Sequence, residues 1–284
     1  MHKKLLLLAV VGLSMGCTAK ETPNADSVAA AAPATPHVVN FTANDFSFAG
    51  PDSIPSGMTT LVLNNAGATI HHLQLLRLKD GKTLADLQEG LKHMKSTDAP
   101  PAWIEEAGGV NVPDPGAQTA AMLMIEPGNY ALACFVDTPD KVPHVMKGML
   151  KGLTVTASAA APAEAPAPDV TVTLTDYTFS FSTPLTAGHH VLRIDNTAAQ
   201  HHEFVLFQLL PGKTIDDFGK WGATYQGPMP AKAMGGVPAM VTGQTEYVPM
   251  DLTAGDYVAI CFLPDAKDGK PHLMHGMVMP IRIS

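Results

Sequence analysis

The sequence holds 284 residues, 46% of them hydrophobic, which is enough chain for two domains of ordinary size, each with a buried core. Acidic side chains number 26 against 18 basic ones, and the resulting formal charge of −8 argues against a phosphate-binding face, hence against nucleic acid as a partner, and against a polybasic membrane-binding tail.

The chain opens MHKKLLLLAVVGLSMGC, where two lysines precede a short apolar run and small residues ahead of Cys17. This is the pattern of an export signal and is too short for a permanent membrane span. Leu13 to Cys17 resembles the bacterial lipobox, in which the cysteine is lipidated and becomes the first mature residue; a plain secretory signal cleaved nearby is the alternative. Either way the protein works outside the cytoplasm, in the periplasm or at the cell surface, with an N-terminal lipid anchor as its membrane contact. Residues 18–36 and 157–168 are rich in Ala and Pro with few bulky apolar side chains, so both read as linkers.

What remains are two halves, 37–156 and 169–284, and they align with each other. Asn44-Asp-Phe-Ser-Phe48 matches Thr175-Asp-Tyr-Thr-Phe179, Leu61-Val-Leu-Asn-Asn65 matches Leu192-Arg-Ile-Asp-Asn196, and Gly128-x-Tyr-x-x-x-Cys134 matches Gly255-x-Tyr-x-x-x-Cys261. The pair His71-His72 is set against His201-His202. Two copies are too few for a solenoid, so each half is expected to fold by itself.

Within each half, short runs such as VTVTLTDYTFSF and YVAICF, bounded by Gly, Pro, Asn and Asp, predict strands packed as a β-sandwich. A helical stripe interrupts them in the first half, where Leu84, Leu87, Leu91 and Met94 follow Thr83, a plausible N-cap. Thr214, Ile215, Phe218 and Trp221 echo it in the second. Each stripe predicts a short helix plus irregular loop inserted between strands, reaching to about Ala117 and Gly243.

Soft metal ligands recur at the end of each half. The first copy reads CFVDTPDKVPHVMKGM from Cys134 to Met149, and the second reads CFLPDAKDGKPHLMHGM from Cys261 to Met277. With Cys17 assigned to the anchor, the two remaining cysteines hold equivalent places in separate halves and are read as unpaired.

The order His, Cys, His, Met, with the last three clustered near the end of a sandwich, resembles the cupredoxin family of blue copper proteins, plastocyanin-like members above all. The resemblance rests on Asn64-Asn-Ala-Gly67 ahead of His71, on the two Gly-x-Tyr-x-x-x-Cys segments, and on His-x-x-x-Gly-Met at 144–149 and its near-copy at 272–277. It implies an all-β fold of two tandem cupredoxin-like Greek-key sandwiches, each with a short helical insertion, and copper as the cofactor. The implied ligands are His71 or His72 with Cys134, His144 and Met149, and His201 or His202 with Cys261, His272 and Met277. Strand alternation turns His71 inward in the first half and His202 in the second, whereas the aligned partner of His71 is His201, so the choice within each pair stays open. The nine residues between Cys134 and His144, and the ten between Cys261 and His272, exceed the family's usual spacing. The apolar side chains Phe135, Phe262, Leu273 and Val278 are expected to keep water from the loops.

A thiolate and two imidazoles with a weak thioether suit both copper oxidation states, so the expected function is electron transfer through type-1-like sites to a protein redox partner. Copper capture or delivery is the alternative, prompted by the additional soft ligands Met146, Met274, His275 and Met279. An enzyme is not expected: Ala133 and Phe135 flank Cys134, Ile260 and Phe262 flank Cys261, and no His-x-His occurs to wire a second copper.

Overall fold

A computed structural model of the protein describes residues 35–93, 100–160 and 163–284. The segment read from the sequence as an export signal, with Cys17, and Met94 lie outside the described residues. The first half runs β1 (His37–Asn44), β2 (Ser47–Ala49), β3 (Ser53–Pro55), β4 (Gly57–Asn65), β5 (Leu73–Leu78), α1 (Leu84–Leu91), β6 (Ile104–Val110), β7 (Gln118–Ile125), β8 (Gly128–Ala133) and β9 (Leu150–Thr156). The second half continues with β10 (Val170–Thr175), β11 (Thr178–Phe181), β12 (Gly188–Asn196), β13 (His202–Leu209), α2 (Ile215–Thr224), β14 (Ala231–Met240), β15 (Thr245–Leu252), β16 (Gly255–Ile260) and β17 (Val278–Ile283).

Alternation builds the sandwiches. Val39, Phe41 and Ala43 of β1, and Val170, Val172 and Leu174 of β10, point into the core while their neighbours are at least partly exposed. In the first half, β2-β1-β4-β7 packs on β3-β9-β8-β5-β6; in the second, β11-β10-β12-β15 packs on β14-β13-β16-β17. In each case the first strand runs parallel to the strand beside it, with Val39 against Leu61 and Val172 against Ile194. The fold class is all-β.

The strands that lead to the metal-ligand candidates are buried on both faces, and the helices explain why. Leu76 and Leu78 of β5, with Ala131 and Ala133 of β8, lie under Leu87 of α1. Val205 and Phe207 of β13, with Val258 and Ile260 of β16, lie under Phe218 of α2. Each helix opens with a capping box. Thr83 Oγ1 accepts from Asp86 N at 3.3 Å while Asp86 Oδ2 accepts from Thr83 N at 2.9 Å, and Thr214 with Asp217 repeats this at 3.2 and 3.0 Å. Burying a Leu or Phe in this way stabilises the fold by roughly 1.5–3 kcal/mol per side chain.

Two features depart from the sequence reading. The stretches expected to be irregular contain strands, β6 and β14, which the Gly-Gly pairs inside them had disguised. Gly109 and Gly236 sit at φ +141° and +129°, and a Cβ there would lie 2.0 Å from the Leu73 carbonyl oxygen and 1.9 Å from that of Phe204. Glycine lets these bulged edge strands approach β5 and β13 so closely.

The second departure concerns the two halves. They were expected to fold independently, yet β7 and β15 pair at Met122 and Tyr247, so one eight-stranded sheet runs through both. Residues Pro33–Ser284 form one compact unit. Polar contacts line the seam: Gln74 Nε2 donates to the Ala239 carbonyl at 3.1 Å, the backbone N–H of Asn111 donates to Gly236 O at 3.0 Å, and the backbone N–H of Ala233 donates to Asp114 Oδ1 at 2.9 Å. The fully buried carboxyl of Glu246 in β15 receives the backbone N–H of Gly109 at 3.3 Å.

Candidate metal centres

Each centre forms where strand ends meet a returning loop. His71 lies just before β5 and His202 opens β13, while Cys134 and Cys261 follow the last residues of β8 and β16. The extra residues in the ligand loops fold back on themselves through isolated bridges between Asp137 and Pro143 and between Pro264 and Pro271. His144 N then donates to Val136 O at 2.9 Å, and His272 N to Leu263 O at 2.8 Å, which brings each histidine beside its cysteine. A single 3-10 turn follows, His144–Lys147 or His272–His275, closed by Gly148 or Gly276 in the left-handed region. The spacing that looked long thus costs no convergence.

His71, Cys134 and His144 form one buried group with ligand atoms within 4.8 Å of one another, and His202, Cys261 and His272 form a second of the same kind. In the first, His144 Nδ1 lies 3.4 Å from Cys134 Sγ and 3.0 Å from His71 Nδ1. In the second, Cys261 Sγ is 3.3 Å from His272 Nδ1 and 3.8 Å from His202 Nδ1. Met149 and Met277 are fully buried in the same core cluster as the two cysteines. Both cysteines are free thiols.

The structure separates the paired histidines. Asp45 and Asp176, Asn65 and Asn196, and His71 and His202 all stand 131 residues apart, so the counterpart of His71 is His202, one place beyond the alignment expected from the sequence. His72 is not at the thiol: its Nε2 accepts the backbone N–H of Phe135 at 2.8 Å, and burial pushes its pKa down to about 3. Glu203 takes the same place in the second half, where Oε1 accepts from Phe262 N at 2.7 Å. His201 is exposed and pairs with Glu106 of the first half at 2.6 Å. Strand alternation, which turned His71 and His202 inward, was the sound signal; the matched His-His dipeptides were misleading.

Carboxylates that sequence reasoning missed hold the outer face of each first histidine. Asp45 Oδ1 accepts from His71 Nε2 at 3.0 Å, and Asp176 Oδ1 accepts from His202 Nε2 at 3.1 Å. With the proton fixed on Nε2, Nδ1 keeps its lone pair for a metal. A Cβ on Gly67 would lie 2.4 Å from His71 Nε2, so the Asn-Asn-Ala-Gly segment leaves room for this contact. The signal was present in the repeat, since Asn44-Asp-Phe and Thr175-Asp-Tyr both carry the aspartate.

Burial keeps both centres neutral in the absence of a cation. It pushes the Cys134 thiol up to about 12 and Cys261 higher still. Burial, then the neighbouring His71, pulls His144 down to about 4, and burial followed by His202 does the same to His272. A thiol with no anionic partner beside two ring nitrogens is a set that a soft or borderline cation completes, and sulfur with two imidazoles in a trigonal arrangement suits copper.

Other candidates do not join these groups. Phe135 and Phe262 remain 42% and 40% exposed and so do not seal the loops, whereas Leu273 and Val278 pack into the cluster beneath α2. Asp265, Asp268 and His275 form a further group near the second centre, but hydrogen bonds from Tyr177, Gln200 and backbone amides of their own loop already engage these carboxylates. His93 and His189 pair on the surface with Glu89 and Asp251, and His190 is held by Asp169.

No protein-family model matches this chain, and no curated protein sequence matches it. Among solved structures, the chain is similar to reduced auracyanin from Roseiflexus castenholzii, at 16% identity and a TM-score of 0.29, over 43% of this chain and 98% of that one. It is similar to the blue copper oxidase of Nitrosomonas europaea, at 14% identity and a TM-score of 0.27, over 88% of this chain and 86% of that one. A copper-containing nitrite reductase from Thermus scotoductus also matches, at 10% identity and a TM-score of 0.23, over 87% of this chain and 61% of that one. The all-β class rests on the chain's own strands, described above. The exclusion of an enzyme drawn from the sequence does not stand, because the structures that align with most of the chain include oxidases and a reductase. At such scores the likeness carries no activity, ligand or partner over to this protein.

Proposed function

We propose that the chain binds copper in both halves and carries electrons outside the cytoplasm, with His71, Cys134, His144 and Met149 as one ligand set and His202, Cys261, His272 and Met277 as the other. The observation that supports this most is the convergence, twice in one chain, of a buried thiol with two imidazoles whose ligand atoms lie within 4.8 Å. Copper held there supplies a one-electron couple. The rigid sandwich holds the imidazoles in one geometry, the carboxylates of Asp45 and Asp176 keep Nδ1 free, and the buried surroundings restrict water. A protein redox partner meets the chain beside His144 or His272. Export through the N-terminal signal, with a lipid on Cys17, completes the proposal.

The test is copper analysis and optical spectroscopy of the full chain beside Cys134→Ser and Cys261→Ser. An intense thiolate-to-copper band that bleaches reversibly on reduction, and the loss of about one copper per substitution, support the reading. Absence of copper uptake in either redox state rejects it. Capture or delivery of copper is the second reading, favoured by Met146 and Met274, which stand 45% and 66% exposed on the 3-10 turns next to His144 and His272. Colourless Cu(I) binding without a reversible band points to that function instead.

A further inference from the structure

The two centres are built from the same repeat but differ on the outer side of the later histidine. In the second half, Tyr177, Gln200 and Asp265 surround His272; their counterparts in the first are Phe46, Thr69 and Thr138. An aromatic ring stands edge-on to the later histidine in both halves, Phe46 on His144 and Tyr177 on His272, but only the second half adds a polar network.

The network fixes atoms that the first half leaves free. The backbone N–H of Ala266 donates to Gln200 Oε1 at 3.0 Å, and Gln200 Nε2 donates to Asp265 Oδ2 at 3.1 Å, so the amide has one orientation. Tyr177 holds the same carboxylate through its hydroxyl at 2.5 Å. Gln200 Oε1 lies 3.1 Å from His272 Nε2 and can only accept, so the proton of His272 sits on Nε2. Nδ1 of His272 therefore faces Cys261 with its lone pair bare, as Nδ1 of His202 does through Asp176.

In the first half, no hydrogen-bond acceptor among the described residues meets His144 Nε2; Phe46 lies edge-on to the ring with centroids 5.1 Å apart, as Tyr177 does to His272 at 5.5 Å, but carries no hydroxyl. Its Nδ1 is 3.0 Å from His71 Nδ1, which is already an acceptor because Asp45 holds the proton on Nε2. Two lone pairs at that separation repel, so in the metal-free protein His144 carries its proton on Nδ1 and must shift it to Nε2 before binding a cation.

We propose that Gln200 makes the two copper centres unequal: by accepting from His272 it presets the second centre for Cu(II) and gives that centre the lower reduction potential, leaving the first as the electron-rich resting place. The inference rests on the copper reading above. A hydrogen bond to the outer nitrogen of a ligating histidine raises its basicity and favours the more highly charged metal, and loss of such a partner costs about 10–100-fold in affinity.

Spectroelectrochemical titration of Cys134→Ser, which keeps the second centre, and Cys261→Ser, which keeps the first, tests this in the full chain. The second centre is expected to have the lower potential. Gln200→Leu, set in the Cys134→Ser background, is expected to raise it by about 59 mV for each tenfold loss of Cu(II) affinity, while Gln200→Glu, which keeps an acceptor, does not raise it. Thr69→Gln in the other background is expected to leave a fold intact, because Thr69 is exposed, and provides a check that Gln200→Leu acts by more than disturbing structure. Copper bound at both centres with equal potentials, or a potential indifferent to Gln200→Leu, overturns the inference while the copper reading survives. Failure to bind copper removes both. Proton–nitrogen NMR of the metal-free protein gives an independent readout: the imidazole proton is expected on Nε2 of His272 and on Nδ1 of His144, and a proton on Nδ1 of His272 overturns the assignment.

Discussion

Asp45 accepts a hydrogen bond at 3.0 Å from the face of His71 that points away from Cys134. The carboxylate is half-exposed and the imidazole is buried, so the ring is aimed from outside the centre. Replacing Asp45 or Asp176 with Ala is expected to weaken copper binding at that centre by about 10–100-fold. Asn at either position, whose amide oxygen still accepts, is expected to retain most of it. A competition titration against a copper chelator checks both outcomes.

Copper uptake is expected to depend on pH through the thiols. Burial holds the Cys134 thiol at about 12, whereas the bound form needs the thiolate, so each centre releases about one proton as it takes up a cation. Above its lowered value of about 4, His144 does not compete by protonation. Apparent affinity should therefore rise about tenfold per pH unit between roughly pH 6 and 8, measured by the same titration. A flat profile would show that the thiol is not a ligand.

The paired glycines of β6 and β14 mark places where side chains do not fit. Gly109→Ala puts a Cβ 2.0 Å from a backbone oxygen at φ +141°, and a loss of at least about 1–3 kcal/mol is expected in urea unfolding. Gly90→Ala, in α1 with open space around it, is expected to stabilise by roughly 0.4–1 kcal/mol. The opposite signs separate close backbone approach from glycine content as such.

Glu246 makes the seam between the halves sensitive to pH. Burial raises its carboxyl well above the usual value of 4.5, with the Gly109 amide opposing the shift. The folded protein therefore holds this proton over a range where the unfolded chain has lost it. The associated stability is complete below 4.5 and falls as pH rises through the folded value, by up to about 1.4 kcal/mol per unit. Glu246→Gln is expected to flatten that fall, which unfolding curves at about pH 5 and about pH 8 would reveal.

Much of the fold was legible because alternation and caps are local signals. Thr83 and Thr214 announced helices that begin at the next residue, and Phe41, Leu61 and Leu192 stood at the inward positions that alternation assigns. β6 and β14 were not legible, since Gly108-Gly109 and Gly235-Gly236 break the hydrophobic pattern for reasons that exist only once β5 and β13 lie alongside. The thiols and the later histidines of the centres could be read from spacing. His72, Glu203 and Gln200 could not, because each acts through a backbone amide or a ring nitrogen contributed by a distant loop. The joining of the halves was hidden for the same reason: Met122 and Tyr247 pair across a separation that no sequence window spans.

That pairing binds the fates of the two copies. Residues 37–156 produced alone would leave β7 without its Tyr247 pairing, and residues 169–284 alone would leave Glu246 without the Gly109 amide. Each half thus turns toward the other a strand edge or a buried carboxyl that is completed from across the seam, so removal of either is expected to weaken the one that stays.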